Sequence, residues 1–113
     1  MKQIKEATYD LIHVIQESSL YVQYQECLGV LKKKKKVYAE YDEFRKQHYK
    51  LMRSQEDNFD EVEALQQKYR DVLMDHDVVA FMEATDRLTL ALKEMYIDIA
   101  DEIELDIDFV DEI

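Results

Sequence analysis

The chain contains no proline and a single glycine, Gly29, across 113 residues. Tight hairpin turns draw on glycine for positive φ and on proline for a preset φ, so a multi-stranded sheet has almost nothing to turn on. Hydrophobic residues make up 47% and charged residues 36%, the mixture of amphipathic helices rather than of a disordered chain. The expectation is an all-α fold of about five helices, paired as antiparallel hairpins in a bundle and forming one domain over residues 1–113. A domain of this length buries only about two-thirds of the surface its unfolded chain exposes. Open hairpins bury less, which favours association with another chain.

The apolar spacing places the helices. Ile4, Ala7, Leu11 and Val14, with Ile15 beside them, share one face of a first helix. It is predicted to end near Glu17, because Ser18 or Ser19 suits the N-cap of the next helix. Leu20, Tyr24, Cys27 and Leu31 mark the second helix, which runs into Lys32, Lys33, Lys34, Lys35 and Lys36. Five adjacent like charges repel one another, and lysines complement the negative end of a helix, so a break is predicted around Lys33 to Lys35.

From Val37 the pattern is a heptad seam. Tyr41, Phe44, His48, Leu51, Gln55, Asn58, Val62, Leu65, Tyr69 and Val72 follow at alternating spacings of four and three. One helix of about 38 residues, roughly 57 Å long at about 1.5 Å per residue, would keep that phase. The alternative is a hairpin turning at the polar stretch Ser54-Gln55-Glu56-Asp57-Asn58, where Asn58 and Glu61 resemble a capping box. The polar seam positions favour the hairpin. A last helix is expected to start after Asp75 as N-cap and to run to about Ile103, with Val78, Phe81, Thr85, Leu88, Leu92, Met95 and Ile99 as its seam. Beyond about residue 104, Leu105, Ile107 and Phe109 alternate with acids, and an extended or frayed acidic tail is expected.

Charge excludes some functions. Residues 1–75 carry 14 acidic and 13 basic side chains, whereas residues 76–113 carry 12 acidic and 2 basic. Nucleic-acid binding replaces counterions with clustered Lys and Arg, so direct binding is not expected of a chain with net charge −11. The Lys32–Lys36 block is the one dense basic feature, and it supports an alternative reading as a docking patch for RNA or an acidic chain. A solvated helix junction explains it more simply. One cysteine, Cys27, excludes an internal disulfide, and no apolar run approaches the roughly 18 residues of a membrane span. A cytoplasmic setting is expected.

No arrangement suggests catalysis. His13, His48 and His76 lie far apart and lack the spacing of metal ligands, and the acidic pairs read as solvated helix faces. No catalytic residue, metal or cofactor is expected. Tyr41, Phe44, Leu51, Leu88, Leu92 and Met95 are the candidate partner-binding residues, as an exposed apolar seam. Each would contribute on the order of 1.5–3 kcal/mol on full burial.

Several stretches carry a resemblance in their order and spacing. They are Glu17 to Tyr24, Leu31 to Lys36, the run Asp42-Glu43-Phe44-Arg45-Lys46, Asp75 to Val79, Glu83 to Leu88, and the aliphatic, acidic end from Ile97 to Ile107. Together they resemble the Com_YlbF (YlbF/YmcA) family of small helical bacterial proteins over about residues 5–108. The resemblance implies a non-enzymatic regulator associated with competence, sporulation and biofilm control. It also implies partners: another copy, a related subunit, or a complex guiding the endoribonuclease RNase Y that carries iron–sulfur clusters. The chain has no cysteine-bearing C-terminal extension, so no cluster is expected in it. The rival to regulation is a purely structural oligomerising protein.

Overall fold

In the computed structural model of the chain, which describes residues 1–54 and 57–104, side chains cap the breaks at Ser18 and Asp75, whereas Lys34, Asn58 and Tyr69 make no side-chain capping bond. Six helices follow in order among the described residues, with no strand: α1 (Lys2–Glu17), α2 (Ser19–Lys33), α3 (Lys35–Arg53), α4 (Phe59–Lys68), α5 (Arg70–Met74) and α6 (His76–Glu102). At the first break Ser18 adopts ψ 152°. Its hydroxyl donates to the Ile15 carbonyl at 2.6 Å and accepts from the Tyr21 N–H at 3.3 Å. One side chain thus closes α1 and opens α2. The second break falls on Lys34, inside the lysine block. At the last, Asp75 Oδ1 accepts from the Asp77 N–H at 2.9 Å and the Val78 N–H at 3.3 Å, capping α6 as expected.

Two details differ from the sequence reading. Asn58 makes no capping bond to α4; its side-chain amide donates back to the Leu51 carbonyl. That bond ties the end of α3 to the start of α4, so the chain does turn here; Gln55 and Glu56, also assigned to the turn, lie outside the described residues. The helix expected to continue through Tyr69 is interrupted there, at φ −104° and ψ 19°. The Tyr69 N–H still donates to the Leu65 carbonyl at 3.2 Å and its carbonyl accepts from the Leu73 N–H at 2.9 Å, so the interruption is a local departure between α4 and α5. The expected acidic tail from residue 105 lies outside the described residues.

The chain divides into two compact units, a central one of residues 25–82 and a terminal one built from residues 1–24 and from residue 83 onward. In the central unit the closest helix packing joins α3 to α4 and α5. The pairing is antiparallel: Asn58 meets Leu51 near the turn, while further along Gln47 donates to the Tyr69 hydroxyl at 3.4 Å. Its core is Leu31, Tyr41, Phe44, Leu65, Val72, Val78 and Phe81, all buried. Aromatic geometry orders that core. Tyr41 meets Phe81 edge-on with centroids 6.2 Å apart, and Phe44 meets Tyr69 at 5.8 Å. The Arg45 guanidinium lies 5.0 Å from the Tyr41 ring centre and is held by Asp42 at 2.8 Å.

The terminal unit contrasts sharply. No residue of α1 is buried, and the only buried side chains among the described residues of this unit are Ala84 and Ala100.

Candidate functional site

The heptad phase that runs from α3 into α5 decides what the central unit can offer a partner. Because the seam turns back between α3 and α4, its own two halves cover each other. Tyr41 and Phe44, expected on an exposed seam, are therefore 6% and 7% exposed, packed on Phe81 and Tyr69. Leu51 is half-buried near the same turn. What remains open above this core is a groove of about 550 Å³ lined by Tyr41, Phe44, His48, Met52, Leu73 and Met82. The His48 ring stacks on Phe44 at 5.4 Å, so it serves the apolar wall, as its place on the seam suggested.

The lysine block is divided by the fold. Lys34 turns inward, its ammonium donating to Asp75 Oδ2 at 2.6 Å and to Asp77 Oδ2 at 3.1 Å. Lys32, Lys33, Lys35 and Lys36 remain exposed on either side of the break. The hydrogen bonds to Asp75 and then Asp77 raise the Lys34 pKa above that of a free lysine. The Asp75 carboxyl is held below its ordinary range, chiefly by Lys34 and then by the Asp77 and Val78 N–H groups. Asp75, His76 and Asp77 bring ligand atoms within 4.8 Å of one another, a grouping that histidine spacing alone does not reveal. Both carboxylates already face the Lys34 ammonium, which occupies the position a cation would take, and His76 is exposed. This cluster joins the α2–α3 junction to the start of α6.

Large apolar side chains are exposed in both units, Phe59, Met52 and Met74 in the central one, but in the terminal unit they form ordered stripes. On α1, Ile4, Ala7, Leu11 and Val14 share one face, and all are exposed, Val14 to 65%. On α6, Leu92, Tyr96 and Ile99, followed by Ile103, recur at spacings of four and three and are likewise exposed. Leu88 and Met95, from the predicted partner-binding set, are half-buried beside that stripe, and Leu92 stands on it. Single exposed apolar residues are ordinary on a protein surface; ordered stripes on a unit whose buried side chains, among its described residues, are two alanines are not. The α1 pattern was legible as a helix face, but nothing in its spacing told whether the rest of the chain would cover it.

Six side chains here, Ile4, Leu11, Val14, Leu92, Tyr96 and Ile99, are exposed and large. They are already about half covered, so burying the rest would contribute on the order of 5–9 kcal/mol. Association costs on the order of 4–15 kcal/mol in lost freedom. The gain is comparable to that cost, so a partner must cover most of this surface to be held. No described helix is long and apolar enough to cross a membrane.

A family profile described as control of competence regulator ComK, YlbF/YmcA (Com_YlbF) matches residues 4–104. No curated protein and no solved structure matches the chain.

Proposed function

We propose, from the premise that this chain belongs to the Com_YlbF family, whose members are regulators, that it regulates by docking another protein on its terminal unit. The observation that carries this reading is that α1, a 16-residue amphipathic helix, buries none of its residues. A helix of that length is marginal in water by itself and gains its stability from packing an apolar face. The partner supplies the packing. The protein is a non-enzymatic regulator acting in the cytoplasm, in the control of competence and, with its family, of sporulation and biofilm formation. In this reading it works in an assembly with a related subunit or a second copy and, as the family resemblance implies, with an RNase Y-associated complex.

The test is capture of the tagged full chain from its native cells, with identification of what co-purifies and a parallel assay of ComK-dependent competence. Leu11→Asp with Val14→Asp puts charge on α1 without touching the buried core. Loss of both the co-purifying protein and the competence phenotype, with thermal unfolding of the variant unchanged, is expected. Retention of both in a folded variant would sink the proposal. Lys32→Glu with Lys33→Glu serves as the control; its loss of function with α1 intact would instead favour the basic patch.

A further inference from the structure

The last turn of α6 sets the direction of the chain that follows it. Glu104 has φ 57°, a left-handed conformation that residues other than glycine adopt rarely, and its N–H donates to the Asp101 carbonyl at 3.1 Å. That bond and that conformation are half of a Schellman motif. In the other half the next N–H bonds the carbonyl one residue earlier, and the next side chain packs back on the helix. Those positions are Leu105 and Ala100, an apolar residue and a buried one. Beyond the described residues the sequence reads Leu105-Asp106-Ile107-Asp108-Phe109. In an extended segment alternate side chains share a face, so Leu105, Ile107 and Phe109 would form one apolar edge with both aspartates turned away from it.

The stripe on α6 fits such an edge. Leu92, Tyr96, Ile99 and Ile103 are exposed at spacings of four and three, which is about 4.5–6 Å apart along the helix axis. Alternate residues of an extended segment stand about 6.6 Å apart, a near match. From Leu105 to Phe109 such a segment covers about 13 Å, close to the helical rise between Ala100 and Leu92. Charge does not oppose the fit. At about 3.6 residues per turn Glu94 and Asp101 fall on the opposite side of α6 and Asp98 well behind the stripe, while Lys93 and Glu102, one of each sign, stand at its two edges. A segment tethered at the end of the stripe is also present at high effective concentration, so a few apolar contacts suffice where a free partner needs many. We infer that residues 105–109 run back along α6 and cover its apolar stripe, so that a partner reaches that stripe by displacing them. This rests on the docking role just proposed and adds how the α6 part of the surface is regulated.

The chain has no tryptophan, so Phe109→Trp in the full chain adds a single indole whose fluorescence reports its surroundings. Acrylamide quenching is measured in this variant, in the same variant carrying Tyr96→Ser with Ile99→Ser, and in a synthetic peptide of residues 104–113 with the same Phe109→Trp change. Quenching in the full chain is expected to be severalfold weaker than in the peptide, unchanged on dilution, and raised towards the peptide's by the Tyr96/Ile99 substitutions. Quenching equal to the peptide's would overturn the inference. So would protection that survives the Tyr96/Ile99 substitutions, which puts the segment elsewhere, or protection lost on dilution, which identifies a second copy as the occupant. In the capture experiment Leu105→Ser with Ile107→Ser and Phe109→Ser is expected to raise recovery of the co-purifying protein; unchanged or lower recovery would overturn the displacement. An unprotected indole, with capture still lost in the Leu11/Val14 variant, rejects the covering segment and leaves the docking role standing. A protected indole with no protein captured does the reverse.

Discussion

The Lys34 ammonium lies 2.6 Å from Asp75 Oδ2, joining the α2–α3 junction to the residue that caps α6. Forty-one positions separate the two residues, so the pair forms only when the central unit folds. The Asp75 carboxyl is depressed by Lys34 first, and Asp42 is depressed by Lys46 and then Arg45. A carboxylate whose folded pKa is lowered adds stability that is present above its unfolded pKa, near 4, and is lost as pH falls through the folded value. The opposite holds at the other end of the scale: the raised Lys34 pKa adds stability present below its ordinary pKa and lost as pH rises through the raised one. Thermal unfolding measured against pH should therefore show a fall in melting temperature below about pH 4. Asp75→Asn should make that fall shallower and leave the protein less stable at neutral pH. An identical acid profile in the variant would show that the Lys34–Asp75 pair contributes nothing.

Stability should be concentrated in the central unit. Phe81 is 1% exposed and packs edge-on to Tyr41. Phe81→Ala is expected to cost about 3–5 kcal/mol by urea denaturation, a large part of the roughly 5–15 kcal/mol a domain has. Leu92→Ser, on the exposed stripe, should change stability by about 0.5 kcal/mol or less. Comparable losses in both variants would contradict the separation of core from docking surface.

Gly29 offers a gain. It sits inside α2, and a Cβ built there meets no heavy atom within 4 Å. Glycine in a helix interior costs roughly 0.5–1 kcal/mol relative to alanine. Gly29→Ala should raise the unfolding free energy by about that amount, read from the denaturation midpoint. Destabilisation would contradict the open space found around this position.

The helix boundaries at Ser18, Lys34 and Asp75 were legible because each is set by local chemistry: a hydroxyl cap, a run of like charges, a carboxylate cap. Asn58 does stand at the turn and at the N-cap position of α4, but its side chain makes no capping bond, because its amide reaches a carbonyl seven residues earlier, which only the closed hairpin brings near. The interruption at Tyr69 carries no glycine, proline or capping signature, and the apolar phase runs through it unbroken. Tyr41 and Phe44 show where periodicity stops informing. Spacing says that residues share a face; it says nothing of what covers that face. In α3 the covering came from the same chain, and in α1 it did not. The grouping of Asp75 and Asp77 around Lys34 was hidden for the same reason, being a contact between distant segments.

The docking role proposed here requires that the described part of the terminal unit, in which only Ala84 and Ala100 are buried, gains its packing from another chain. Hydrogen exchange of the α1 amides in the dilute, purified protein tests it most directly, with the α3 amides as internal reference. The account predicts that residues in α1 exchange far faster than those around Tyr41 and Phe44, whose opening requires unfolding of the central unit. Protection of α1 equal to that of α3 in the monomeric chain would contradict it.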